Sequence, residues 1–222
     1  MKRQIAFIHT SPAAIAPLVQ FYGEAAPELE ITNLLDDGIL RHFRSRDERA
    51  AEERLMELLN IARRAYGAEA ALVTCSSVSG ELRERLRRAF DFPVLKIDDP
   101  MAERAVMAGR RIGVAATFPP TVETTGQLLQ EAAAATGREV EIITEVAPEA
   151  YQALLAGDHH THDELLLALL QRLDEQKVDT IVLAQVSMAR VFAQVEGKLR
   201  APVLTSLHTS LDAVRQALQE AQ

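Results

Sequence analysis

The sequence has one cysteine, no basic excess and no long apolar run, and each shortage excludes a class of protein. With Cys75 as its only cysteine, the 222-residue chain cannot form an internal disulfide. The formal net charge is −8, and the acidic excess is spread along the chain without the basic stripe that binds nucleic acid. No run approaches the roughly 18 apolar residues of a membrane span, and residues 1–4 lead into a strand-like segment without a secretory leader. We therefore expect a cytoplasmic protein that binds neither nucleic acid nor membranes.

The only cysteine lies where an apolar strand gives way to a polar turn. An aliphatic run precedes Thr74 and Cys75, and Ser76 and Ser77 lead into a helical pattern. This pattern is typical of a parallel strand that feeds a helix, the place where open α/β sheets bind their ligands. We expect the backbone N–H groups of Ser76 and Ser77 to face the thiol or a bound anion, and the helix N-terminus to lower the pKa of Cys75. The alternative is a small buried thiol that only fills a strand end.

Strands alternate with helices through the first half of the chain. Besides the strand before Cys75, strand-like segments cover residues 4–9, 28–35 and 93–97. A long amphipathic helix is predicted from about Ser45 to Tyr66, and a shorter one from Glu81 to Phe90. Such alternation predicts a parallel sheet connected by right-handed crossovers.

The second half of the chain repeats the first. Four strand positions recur in order at an almost constant separation of about 110 residues: Ile5 with Ile112, Ile31 with Ile142, Cys75 with Gln185, and Pro93 with Pro202. The predicted fold is therefore α/β, with two pseudo-symmetric lobes, each a four-stranded, mostly parallel sheet flanked by helices. The first lobe is assigned residues 1–105 and the second 106–222, with the option that the C-terminal helix 208–222 packs back on the first lobe.

Duplication predicts a single active site in the cleft between the lobes. If strand ends of both lobes line that cleft, Cys75 and Gln185 approach a ligand from opposite sides, as do Thr10 and Thr117. A thiol on each face is the arrangement that removes a proton from a carbon and returns one on the opposite face. Here one member of the pair is an amide.

The sequence resembles the aspartate/glutamate racemase superfamily, which includes hydantoin racemases, maleate isomerases and arylmalonate decarboxylase. The resemblance covers essentially the whole chain. It depends on four segments: Thr10-Ser11, Thr74-Cys75-Ser76-Ser77, Ala116-Thr117 with Thr121, and Asp179 to Gln185. It implies cofactor-independent chemistry on a small carboxylate substrate, without a metal, in a homodimer.

The resemblance also implies roles for individual residues. In the cofactor-independent racemases, two cysteines flank the α-carbon of the substrate, and small hydroxyl and amide residues hold its carboxylate. Cys75 matches the first cysteine, and the second falls at Gln185, which is neither acid nor base near neutral pH. The predicted catalytic residues are Cys75 and His208, with His208 as the replacement acid or base. The predicted substrate-binding residues are His9, Thr10, Ser11, Ser76, Ser77, Thr117, Thr121, Gln185 and Ser187.

Three functions remain open at this point. The first is an isomerase, racemase or epimerase in which Cys75 has a non-cysteine partner. The second is a decarboxylase that uses one cysteine, and the third is a small-anion binding protein without turnover. Two further groups are weaker candidates: Lys96 ends a strand, where it is placed to meet a carboxylate, and residues 158–163 combine three histidines with two aspartates. We interpret that segment as a helix start capped by Thr161 or Asp163 rather than a zinc site.

Overall fold

The computed structural model describes residues 2–220, apart from the side chains of Ala13 and Pro120. The described chain divides into two compact units, one formed by residues 2–98 with 210–220 and the other by Asp99–Thr209. The division lies a few residues before the boundary predicted at 105, because Met101, Ala105 and Val106 are buried in the apolar core of the second unit.

Unit 1 is a four-stranded parallel sheet in the order β2-β1-β3-β4. Its strands are β1 (Arg3–His9), β2 (Leu29–Leu35), β3 (Ala70–Val73) and β4 (Val94–Lys96). A 3₁₀ turn (Pro12–Ala14) precedes α1, and the helices are α1 (Ile15–Ala25), α2 (Gly38–Arg44), α3 (Glu48–Tyr66) and α4 (Gly80–Ala89).

Unit 2 is a second parallel sheet in the corresponding order, β6-β5-β7-β8. Its strands are β5 (Arg111–Ala116), β6 (Glu141–Val146), β7 (Thr180–Leu183) and β8 (Val203–Thr205). The helices are α5 (Asp99–Ala108), α6 (Pro120–Ala135), α7 (Pro148–Leu155), α8 (His159–Glu175) and α9 (Phe192–Val195), with a 3₁₀ helix (Val186–Val191) before α9. The last helix, α10 (Ser206–Glu220), begins in unit 2 and continues in unit 1.

The central strands read as near-continuous apolar runs because helices cover both faces of each sheet. Every residue of β3 and β7 is buried, whereas the edge strands β2 and β6 are partly exposed. The core of unit 1 includes Ile8, Leu55 and Leu59, and one core cluster of unit 2 includes Leu169 and Ile181.

Strand register confirms the predicted duplication. Ile5 pairs with Ile31 in unit 1, and the equivalent Ile112 pairs with Ile142 in unit 2. Val73 pairs with Lys96 in the same way that Leu183 pairs with Thr205. The prediction of two four-stranded parallel α/β lobes is therefore confirmed, while an active site in a cleft between them stays a prediction.

One predicted helix start in unit 1 is wrong, and a second is confirmed to within one residue. The helix expected from about Ser45 is interrupted at Arg46, which has a φ of 58°, and restarts after Asp47, whose side chain accepts the Ala50 N–H at 3.1 Å. The helix expected from Glu81 to Phe90 covers Gly80–Ala89, and its start is fixed by the Ser79 hydroxyl, which accepts the N–H of Leu82 at 3.1 Å. Short polar side chains thus decide where both helices start.

The C-terminal helix completes unit 1. The Tyr22 hydroxyl lies 2.9 Å from the Ser210 hydroxyl, and Arg215 forms an ion pair with Glu28 at 2.7 Å. Along residues 2–220, no helix is long and apolar enough to cross a membrane.

Candidate active site

The predicted site residues lie at the carboxyl ends of the parallel strands. Thr10 and Ser11 follow β1, and Cys75 follows β3 by two residues. In unit 2, Thr117 follows β5 and Gln185 follows β7. Each unit therefore has its own group of candidates, which we call the thiol cluster (Thr10, Cys75, Ser77 and Lys96) and the amide cluster (Thr117, Phe118 and Gln185).

In the thiol cluster, three donors converge on the sulfur of Cys75. The Thr10 hydroxyl, the Ser77 hydroxyl and the Ser77 backbone N–H all hydrogen-bond to Sγ. Cys75 is only 5% exposed, and Thr10 is also buried. Because a thiolate is stabilised by several hydrogen bonds, this arrangement favours a negative charge on sulfur.

Burial opposes that charge, and the pKa of the Cys75 thiol is raised above its usual value. Removal from water is the largest cause, while the bonds from Thr10 and Ser77 and the positive charge of Lys96 act in the opposite direction. The expectation of a lowered pKa is therefore wrong. The helix on which it depended begins at Gly80, and the field of a helix terminus weakens within its first turn.

His9 is fully buried, and both nitrogens of its ring have partners. Nδ1 lies 2.9 Å from the Thr74 hydroxyl, and Nε2 lies 2.9 Å from Oδ1 of Asn33. Since that amide oxygen can only accept, Nε2 carries the proton and Nδ1 is left as an acceptor. It faces the Thr74 hydroxyl, whose proton is shared between Nδ1 and the Ile8 carbonyl at 3.3 Å. Burial lowers the pKa of His9, against the smaller raising effect of the Asn33 bond. The ring thus positions Thr74, next to the thiol, and its contact with substrate stays a prediction.

Sequence reasoning missed Asn33 and Thr74 as partners of the site. Phe7 pairs with Asn33 across β1 and β2, which places the amide beside the end of β1. The available signal was a polar residue near the end of each strand adjoining β1, but the register needed to connect them was not visible in the sequence.

Lys96 and Asp98 form a buried ion pair at the end of β4. Lys96 Nζ lies 2.7 Å from Oδ1 of Asp98, and the two side chains are 4% and 8% exposed. The approach is outside hydrogen-bond geometry, so that this oxygen receives no hydrogen bond from residues 2–220. Lys96 pairs with Val73 across β3 and β4, and Cys75 follows Val73 by two residues. A buried ammonium group therefore lies on the strand next to the one that leads to the thiol.

In the amide cluster, three donors converge on the side-chain oxygen of Gln185. Oε1 accepts from the Thr117 N–H at 2.8 Å, from the Thr117 hydroxyl at 3.0 Å and from the Phe118 N–H at 3.2 Å. No partner for Nε2 occurs within the described chain, which leaves an N–H₂ donor for a ligand. The cluster can thus orient a carbonyl or carboxylate, but it cannot exchange a proton with carbon.

The remaining hydroxyl candidates differ in their availability. The Thr121 hydroxyl donates to the Phe118 carbonyl at 2.7 Å in the first turn of α6. Ser76 and Ser187 are partly exposed, and their hydroxyls have no partner in residues 2–220. Ser11 is partly exposed and is engaged in an interaction of its own. Two of these four hydroxyls are thus open to a ligand without breaking an existing bond.

His208 lies in the first turn of α10 and is exposed. Its Nδ1 is 2.7 Å from the Thr205 hydroxyl, and its ring is 4.5 Å from that of Phe192, measured between centroids. The contacts fix the plane of the imidazole. Its role as an acid or base stays a prediction.

The histidine-rich segment forms the start of α8. Asp158, not Thr161 or Asp163, is its cap and accepts the Thr161 N–H at 3.0 Å. His162 is buried with Nδ1 2.8 Å from Asp163, which also pairs with Arg190 at 2.7 Å. Within the described residues, no group of three potential metal ligands is close enough to hold an ion.

A family model described as Asp/Glu/hydantoin racemase matches residues 14–214. Among solved structures, an allantoin racemase from Klebsiella pneumoniae is 20% identical, with 99% of this chain and 89% of that chain covered and a TM-score of 0.74. A glutamate racemase isoform from Bacillus anthracis is 14% identical, with coverages of 98% and 82% and a TM-score of 0.74. An aspartate racemase homologue from Pyrococcus horikoshii OT3 is 17% identical, with coverages of 100% and 99% and a TM-score of 0.73.

No match was found among curated proteins. At these identities, the solved structures establish the fold, which agrees with the two parallel sheets and the order of their strands. The family is established by the match over most of the sequence. The chain belongs to the Asp/Glu/hydantoin racemase family, whose racemases are isomerases.

Proposed function

We propose that the chain is a cofactor-independent isomerase of small carboxylate-bearing carbon acids, with Cys75 as its acid/base or nucleophile. The observation that carries this proposal is the convergence of three donors on a buried sulfur. Such donors offset the cost of burying a charge, which an inert thiol filling a strand end does not require.

The raised pKa of Cys75 fits proton exchange with carbon. Protons next to a carboxylate are weakly acidic, and a thiolate of higher pKa is a stronger base toward them. The fraction of thiolate near neutral pH falls as the pKa rises, so the bonds from Thr10 and Ser77 are needed to keep that fraction useful. In this step Sγ takes the proton, and the electron pair of the C–H bond moves into the carboxylate as an enediolate. Return of the proton from Sγ restores the substrate, whereas inversion requires a proton on the opposite face of the enediolate, the role that the sequence predicts for His208.

Gln185 gives the proposed enzyme one working thiol instead of two. Its oxygen is already held by Thr117 and Phe118, so its free N–H₂ group is left to orient a substrate oxygen. This arrangement favours a second candidate function, decarboxylation, in which loss of carbon dioxide leaves the enediolate and the Cys75 thiol protonates it. That reaction needs a proton donor on one side only.

The test is solvent deuterium incorporation, followed by NMR in D₂O, for amino acids, hydroxy acids, hydantoins, maleate and substituted malonates. Wild type is compared with Cys75→Ala, and Thr136→Val serves as a control at an exposed hydroxyl. We expect deuterium at carbon with wild type and the control, and none with Cys75→Ala. The product then separates an isomerase from a decarboxylase. Tight binding without any incorporation across the panel would favour a small-anion binding protein and contradict both enzymes.

The family resemblance also leads us to propose a cytoplasmic homodimer that needs no metal or cofactor. Sedimentation at micromolar concentration should then give twice the mass of the chain. Activity should survive treatment with a chelator. A monomer at these concentrations would contradict the proposed assembly.

A further inference from the structure

The buried ammonium of Lys96 lies at the end of the strand next to the one that leads to Cys75. We propose that Lys96 is the counter-ion of the Cys75 thiolate and that Asp98 holds it in place for this role. The inference deepens the proposed function and depends on it for its meaning in catalysis. Lys96 acts through Cys75 and is therefore a positioning residue.

Strand pairing places the cation beside the thiol. Val73 pairs with Lys96 across β3 and β4, and Cys75 follows Val73 by two residues. Both side chains are buried, and a charge in such surroundings acts more strongly than it does in water. The positive charge of Lys96 favours the thiolate, against the larger effect of burial.

The duplication provides an internal comparison. In unit 2, the position of Cys75 is taken by Gln185, and the register that pairs Val73 with Lys96 pairs Leu183 with Thr205. Two residues after Thr205, where unit 1 has Asp98, unit 2 has Leu207. The lobe without the thiol thus lacks the charge pair as well. The sheet itself does not need an ion pair at this place, which connects the pair with the thiol.

The pair also fixes the position of the ammonium. Nζ of Lys96 lies 2.7 Å from Oδ1 of Asp98, and both side chains are buried, so that the carboxylate holds the cation at the end of β4. The titratable groups around the thiol in unit 1 are then Lys96, Asp98 and His9, with His9 already bonded to Thr74 and Asn33.

The experiment is a pH titration of the only thiol in the chain, followed by the ultraviolet absorbance of the thiolate. The signal of Cys75→Ala is subtracted from each titration to remove the contribution of tyrosines. The variants are Lys96→Met, Lys96→Arg, Asp98→Asn and the double variant Lys96→Met with Asp98→Asn. Circular dichroism and thermal unfolding confirm that each variant is folded at the pH values used.

We expect opposite shifts from the two charges. At the pH where half of the wild-type thiol is ionised, Lys96→Met should lower the ratio of thiolate to thiol about tenfold, equivalent to one pH unit. Lys96→Arg should restore most of it, because the charge is kept. Asp98→Asn should raise the ratio, since it removes the carboxylate that competes for the ammonium. The double variant should have a ratio of thiolate to thiol between those of the two single variants. Because it leaves no unpaired buried charge, it also controls for misfolding caused by such a charge.

Two results would overturn the inference: an unchanged midpoint in folded Lys96→Met, or shifts of the same sign in Lys96→Met and Asp98→Asn. Loosening of the structure alone would shift the titration midpoints of both variants in the same direction. The titration uses no substrate, so its outcome is independent of the deuterium screen. Opposite shifts without any turnover would leave the counter-ion role in place and remove only the proposed function.

Discussion

At the scale of single residues, the sulfur of Cys75 is governed by two opposed effects. Burial disfavours the thiolate, and the donors of Thr10 and Ser77 together with the charge of Lys96 favour it. The position of the balance decides whether the thiol is an inert apolar group or a base for carbon acids. Removing one favourable contact at a time therefore measures how much each contact stabilises the thiolate.

Replacing Thr10 by valine tests the hydroxyl that bonds to Sγ. The substitution keeps the shape of the side chain and removes one donor, so the ratio of thiolate to thiol should fall about tenfold at a fixed pH. Thr136→Val is the matched control, because the Thr136 hydroxyl donates only to carbonyls at the end of α6. The same absorbance titration measures both. Equal shifts in the two variants would show that the Thr10 bond does not stabilise the thiolate.

His9 should make stability depend on pH. Burial lowers its pKa below the ordinary 6.5, so between the folded pKa and 6.5 the unfolded chain binds more protons than the folded one. The free energy of unfolding should therefore be fully maintained above 6.5 and fall as the pH drops below it. Urea unfolding at several pH values should give a shallower fall for His9→Gln than for wild type. An identical slope in both proteins would mean that His9 does not contribute.

At the scale of strands and helices, the pattern of residues was sufficient for the architecture. Apolar runs, alternation and the repeat at about 110 residues predicted both sheets, and the strand register confirms them. These features are carried by many residues at once, so no single contact decides them. The start of α3 was less predictable, since its cap at Asp47 acts through one hydrogen bond.

The chemistry of the site was the least predictable part. Gln185 and Thr117 are far apart in the sequence, and nothing in it shows that the amide oxygen bonds to both groups of Thr117. The sign of the pKa shift of Cys75 depends on burial, which is a property of the folded unit. The sequence shows which residue types lie at the strand ends, but it does not show which hydrogen bonds their side chains form.

The start of β5 depends on a close contact between Gly109 and Asp179. A Cβ at position 109 would lie 2.2 Å from that of Asp179, whose Oδ2 accepts the N–H groups of Arg110 and Arg111 at 2.8 Å each. Gly109→Ala must displace this carboxylate, and we expect the protein to lose about 1–3 kcal/mol of unfolding free energy.

Gly126 provides the control for that substitution. It lies within α6, and a Cβ there would meet nothing within 4 Å. Gly126→Ala should therefore leave stability unchanged or raise it by up to about 1 kcal/mol, because alanine favours the helix. Urea unfolding measures both variants. A Gly109→Ala protein as stable as wild type would contradict the role assigned to this contact.

At the scale of the whole molecule, the duplication separates two roles. Unit 1 has a thiol with a buried ion pair near it, whereas unit 2 has an amide bound by its own backbone. The same sheet and the same register hold both arrangements. The strand ends could therefore diverge without a change in the core that carries them.

The C-terminal helix should stabilise one unit and not the other. A chain ending at Thr209 loses the partner of Tyr22 and the buried side chains Leu211, Val214 and Leu218. Hydrogen exchange should then show lost protection in β1 to β4, while β5 to β8 stay protected. Arg215→Ala removes the exposed pair with Glu28 and the bond to the Ala25 carbonyl, and it should have a smaller effect than the truncation. Equal loss of protection in both sheets would contradict the assignment of residues 210–220 to unit 1.

The return of the last helix to unit 1 has a consequence for biosynthesis. Residues 99–209 form a continuous unit and can fold as soon as they have left the ribosome. Unit 1 is synthesised first, but it lacks the partner of Tyr22 until the last helix emerges. During translation its unfinished apolar face stays available to chaperones for about as long as unit 2 takes to be made. The half that holds the thiol is therefore the first to be translated and the last to mature.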